Sequence, residues 1–162
     1  MNKVVIIGTS HSIQWDLERK DFSDYAVTII KEHCIAAIAE EIDEKPSVLQ
    51  RVAIEMGLSY LNIEPNAEER ADLGIYSNLS MIEYEIFMEF DDHESPEALK
   101  ETECRKQAGY RLREQEWFNR IKVLNVYPLL VVCGANHVDP FKALLQEKDY
   151  IVQVASFLEE CT

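Results

Sequence analysis

The chain has 162 residues, 47% of them hydrophobic, a formal net charge of −14 and a sequence pI near 4.6. This length is enough for one domain with its own core, and the negative field excludes nucleic acid and anionic membrane surfaces as expected partners. No apolar stretch approaches the roughly 20 residues that span a bilayer, and the apolar N-terminal stretch is too short for a signal peptide, so a cytoplasmic protein is expected.

Residues 3–8, KVVIIG, are short and β-branched and read as a buried strand. A polar segment follows. Phe22, Tyr25, Ala26, Ile29 and Ile30 recur at helical spacing, which predicts an amphipathic helix over 22–33. CIAAIAEE (34–41) is the next apolar run and is read as a second strand, completing a βαβ unit. A helix over 46–57 ends on Gly57 as its C-terminal cap, and LSYLNIEP (58–65) alternates into a third strand. A short acidic helix is expected after Pro65, and 80–93 fits a helix.

Residues 95–125 carry the longest helical pattern, with Ser95 as cap and Pro96 in the first turn. YPLLVVCG (127–134) is a central strand. DPFKALLQEKD (139–149) is a helix capped by Asp139, and YIVQVA (150–155) is a last strand. Strand–helix–strand units at both ends predict a compact α/β three-layer sandwich: a mostly parallel central sheet flanked by helices. We read 1–162 as one domain, with 61–104 as an insert. Of the four cysteines none forms a C-x-x-C pair; Cys34, Cys104, Cys133 and Cys161 are expected as free thiols, Cys34 and Cys133 as small buried hydrophobes.

The strand ends carry the candidate chemistry. Both VVIIGTSH (4–11) and LLVVCGANH (129–137) run from apolar residues into Gly-x-x-His. In a parallel sheet ligands bind at the carboxyl ends of strands. Gly8 and Gly134 would let a ligand or cofactor approach the backbone there. If the two strands are neighbours, His11 and His137 reach one pocket, where a neutral imidazole can ligate a metal or act as general base. Glu41, or equally Glu40, ends the run CIAAIA and could supply a carboxylate. Two histidines and a carboxylate make either a divalent-metal set or a base with its orienting acid. On the long helix, Tyr110, Arg113, Glu114, Trp117, Ile121 and Leu124 share one face. Charges among apolar residues there point to a polar pocket. Cys104, Ala108 and Leu112 mark an alternative buried face that would leave Arg113 nearer solvent.

In this order the segments GTSH (8–11), AIAEEIDEK (37–45), REQEWFNRI (113–121) and LLVVCGANHVDPFKALLQEKDYIVQV (129–154) resemble the TraB/Tiki-like group, within the wider erythromycin-esterase and ChaN-like superfamily. The resemblance covers residues 3–60 and 105–155 and aligns Glu41, rather than Glu40, with the family glutamate. It implies a compact α/β fold whose pocket is formed by His11, Glu41, Arg113 and His137, with Glu114 orienting Arg113 or a histidine. Its members are chemically diverse: Tiki-type proteins are metal-dependent proteases, erythromycin-esterase-type proteins hydrolyse with histidine and glutamate, and ChaN-like proteins bind haem iron. For this chain it implies a hydrolase of peptide, ester or phosphoester bonds. His11, Glu41 and His137 would activate water or hold a divalent ion (Mn, Co or Zn), and Arg113 would stabilise developing negative charge.

Two other expectations stand beside this one. The first is a non-enzymatic module that binds or senses a small ligand or metal on the same fold. The second is a partner-binding protein, or a homodimer, that uses 61–104 with Phe87 and Phe90 as its interface.

Overall fold

The apolar runs form five parallel strands, and helices form between them where apolar residues recur at helical spacing. The computed structural model describes residues 2–42 and 46–157. In chain order these form β1 (Lys3–Thr9), α1 (His11–Trp15), α2 (Lys20–Glu32), β2 (Ala37–Glu40), α3 (Val48–Met56) and β3 (Ser59–Asn62). Then follow α4 (Ala67–Asp72), α5 (Leu79–Glu89), α6 (Pro96–Leu124), β4 (Leu129–Gly134), α7 (Val138–Glu147) and β5 (Ile151–Ser156). Cys161 and residues 43–45 of the acidic stretch lie outside the described residues.

The chain divides into two compact units, Met1–Glu64 with Trp117–Thr162, and Pro65–Glu116. In the first, the strand order is β3-β2-β4-β1-β5 and every pairing is parallel. Successive side chains on a strand point to opposite faces. Val5, Ile7, Ile38, Leu130 and Val132 therefore pack against α2 and α3 through Phe22, Ile30, Leu49 and Val52. Val4, Ile6, Ala39, Val131 and Cys133 pack on the other face with Trp117, Ile121, Phe141 and Leu145 of α6 and α7. Two layers of helix on one all-parallel sheet make the expected three-layer α/β sandwich. Near-continuous burial of β1 and β4 is what a sheet covered on both faces requires.

Local signals explain most boundaries. Ser47 caps α3 by accepting from Gln50 N at 3.0 Å, and Gly57 ends that helix in the left-handed conformation at φ 68°. Ser95 Oγ accepts from Ala98 N at the start of α6. Three details differ from expectation. The polar segment after β1 is helix α1, which buries Ile13 and Gln14. Cys34 is exposed in the turn after α2 at φ 52°, and the buried run starts at Ile35. Asp139 sits inside the first turn of α7, because a 3-10 turn at Ala135–His137 makes His137 the N-cap residue.

In the second unit, Asn66 and Glu69 form a reciprocal capping box on α4. Ile82, Ile86 and Ala98 make a small core of their own with Tyr76 and Phe90. Arg105 on α6 clamps α5 by donating to Glu85 at 3.1 Å and Glu89 at 2.5 Å, and it also binds Glu101 at 2.8 Å. Cys104, Ala108 and Leu112, the alternative face of α6, are exposed. Gly109 lies in the interior of that helix, and a Cβ there would meet nothing within 4 Å. Glycine in a helix interior is destabilising by roughly 0.5–1 kcal/mol relative to alanine, so Gly109→Ala is expected to raise stability by about that amount in chemical denaturation.

Candidate functional site at the carboxyl ends of β1, β2 and β4

β1 and β4 are direct neighbours, with Gly8 opposite Cys133 and Thr9 opposite Gly134. The chain leaves them toward opposite faces: α1 and α2 follow β1 on one side, and α7 follows β4 on the other. That divergence makes the ends of β1 and β4 a topological switch point, the usual place for a ligand in a parallel sheet. Both Gly-x-x-His segments end there.

Glu40 and Glu41 are consecutive, so they face opposite ways. Glu41 continues the sheet by donating its N–H to Val132 O at 2.8 Å. Its carboxylate Oε2 accepts from Gly134 N at 2.6 Å, and Oε1 lies 3.6 Å from His11 Nε2. His11 opens α1 with its ring against Trp15 at 5.4 Å and is about one third exposed, whereas Glu41 is buried. A Cβ on Gly134 would stand 3.4 Å from Glu41 Oε2 and 3.6 Å from His137 Cδ2. These are ordinary contact distances, so they place a carboxylate and an imidazole beside the same backbone position without requiring glycine there. His137 is buried, with its ring edge-on to Trp117 at 4.8 Å. Trp117 Nε1 in turn donates to the buried Glu64 Oε2 at 2.9 Å. Gly8 has a different reason: a Cβ there would meet Val138 Cγ2 at 2.6 Å, so it makes room for the start of α7.

Glu40 sits on the other face in a network that the spacing of the sequence did not reveal. Its carboxyl accepts from Ser47 Oγ at 2.5 Å, Tyr60 Oη at 2.6 Å and Gln14 Nε2 at 2.9 Å. Gln14 Nε2 also donates to Glu41 O at 2.9 Å, which fixes the orientation of its amide. Gln14 Oε1 and Thr9 Oγ1 are buried without a hydrogen-bond partner. The sequence offered Glu40 as an equal alternative to Glu41 but carried no signal for Gln14, Ser47 or Tyr60 as its partners.

Burial pushes the Glu40 carboxyl above the usual carboxylate range, outweighing the hydrogen bonds from Ser47, Tyr60 and Gln14 and the nearby His11, which all favour the charged form. Burial and the adjacent Glu40 likewise push up the Tyr60 hydroxyl. The folded chain therefore holds a proton on Glu40 over a range where the unfolded chain has lost it. Stability contributed there falls as pH rises from about 4.5 through the folded value. Glu40→Gln, which mimics the neutral carboxyl, is expected to flatten that part of the stability–pH curve relative to wild type. A wild-type and variant pair with parallel curves from pH 4 to 8 would contradict this.

Of the remaining predicted residues, Glu114 pairs with Arg111 one turn away, at 2.9 Å from its Nε. Arg113 lines a cavity of the second unit together with Arg70 and Lys106. Trp117 and Ile121, placed on the same stripe by periodicity, are fully buried core residues of the first unit. Among the described residues no group of three His, Cys, Asp or Glu side chains is arranged to hold a metal ion, and no helix is long and apolar enough to cross a membrane. No protein-family model, no curated protein and no solved structure matches the chain.

Proposed function

We propose that the protein is a hydrolase in which His11, oriented by Glu41, activates water at the carboxyl ends of β1, β2 and β4. The observation that carries this reading is the contact of His11 Nε2 with Glu41 Oε1 at 3.6 Å while Gly134 N–H holds the other carboxylate oxygen. A carboxylate facing Nε2 favours the tautomer with its proton there, which leaves Nδ1 as the basic nitrogen. The 3.6 Å separation exceeds a hydrogen bond, and such contacts commonly tighten when substrate binds.

His11 Nδ1 takes a proton from water, the resulting hydroxide attacks the acyl carbon or phosphorus, and the same proton returns to the leaving group. A His137 ring N–H donates to the developing oxyanion, in an apolar surround that strengthens such a bond. The imidazolium formed on His11 is stabilised by Glu41. The resemblance of GTSH, the Glu41 segment and GANH to the TraB/Tiki-like group supports the same assignment. The donor set falls short of a three-residue metal site, so no step is routed through an ion.

The test is hydrolysis of ester, peptide and phosphoester panels by the purified protein, with and without chelator and with added Mn, Co or Zn. Turnover in chelator is expected. Saturable ligand binding without turnover of any panel member would favour a binding module and sink the proposal.

A further inference from the structure

The second unit holds a cavity of about 220 Å³ whose composition runs against the rest of the chain. The chain has 30 acidic and 16 basic residues, yet three cations, Arg70, Lys106 and Arg113, line this cavity, and no carboxylate does. All three are half-buried. Arg70 is held by donating to Pro65 O at 2.9 Å and Ser77 O at 3.4 Å. Lys106 lies 3.6 Å from Glu103 and over the Tyr110 ring at 5.9 Å. Such anchoring fixes cationic heads in advance, which reduces the ordering they must undergo on binding.

The start of α5 also lies at the cavity, with Asn78 accepting from Met81 N at 3.1 Å, and the positive end of a helix dipole favours an anion there. Ile75, Leu79 and Ile82 add apolar surface to the lining. Gly109 also lines the cavity and leaves it free of a side chain there, at a helical position where every residue type but proline is a better helix former.

We propose that this cavity binds a small organic phosphate monoester, with its phosphate on Arg70, Lys106 and Arg113 and its organic group against Ile75, Leu79 and Ile82. Three cations match a dianion better than a carboxylate, and a cavity of about 220 Å³ has room for an organic part of about one ring. The site lies wholly within the second unit and does not depend on the hydrolase reading.

Calorimetric titration of the full chain with phenyl phosphate, inorganic phosphate and phenol tests it. Phenyl phosphate is expected to bind at one site, more tightly than either other probe, and more weakly as salt is raised. Charge-assisted hydrogen bonds are worth about 1.5–3 kcal/mol, so Arg113→Gln and Lys106→Gln should each weaken binding by roughly 10- to 100-fold. Gly109→Leu should abolish it by placing a side chain in the cavity lining while improving helix propensity. The two charge variants keep the test decisive if leucine disturbs the helix. Absence of saturable binding, equal affinity for phenyl phosphate and inorganic phosphate, or affinity unchanged in all three variants would overturn the proposal.

Discussion

Trp117→Ala is expected to lower the folding free energy by about 3–5 kcal/mol, the range for truncating a large buried aromatic. Trp117 is fully buried beneath the sheet, edge-on to Phe141 at 5.6 Å and to His137 at 4.8 Å. The cavity left by alanine accounts for most of the loss. The rest follows from Glu64, whose buried carboxylate loses the indole N–H donor. Trp117→Phe separates the two contributions by keeping most of the packing and removing the hydrogen bond, with an expected loss nearer 1–3 kcal/mol. Denaturant titration with the m-value held constant reads both. A loss under about 1 kcal/mol in Trp117→Ala would mean that α6 is not bound to the sheet through this residue.

Glu41→Gln is expected to reduce kcat for the hydrolysed substrate by about 10²–10⁴-fold, with little change in KM or stability. Glutamine is isosteric, and its oxygen can still accept from Gly134 N. Its amide then presents a donor to His11 Nε2, which reverses the tautomer and removes the lone pair from the nitrogen that faces water. Replacing the orienting acid of a histidine by its amide costs up to about 10⁴-fold in a serine-protease triad by this route. Loss of the imidazolium's counter-charge adds to the effect. Glu40→Gln, on the opposite face, should leave kcat within a fewfold of wild type. Equal kcat in wild type and Glu41→Gln would remove Glu41 from the chemistry.

Much of the architecture was legible because burial on both faces imposes long β-branched runs on β1 and β4, while α2 and α3 bury only one side and so show helical periodicity. Caps at Gly57 and Ser95 were readable because each acts within one turn of its own position. What escaped prediction depended on contacts distant in sequence. Helix α1 is short, and its burial of Gln14 serves Glu40, 26 residues away, so the stretch read only as a polar segment. Composition could not separate Glu40 from Glu41; strand alternation does, sending one to Ser47 and Tyr60 and the other to Gly134 and His11. Periodicity placed Arg113 and Glu114 on one stripe with Trp117, but a 29-residue helix serves different surroundings along its length. Arg113 lines a cavity in the second unit, and Trp117 fills the core of the first.

The central claim is that the two Gly-x-x-His segments serve one hydrolytic site. The most direct measurement is a double-mutant cycle on kcat with His11→Ala, His137→Ala and the pair. Groups that act on one transition state lose activity non-additively, so the double variant is expected to be little worse than the worse single variant. Losses that multiply independently, or a single variant with undiminished kcat, would show that the histidines do not share a site.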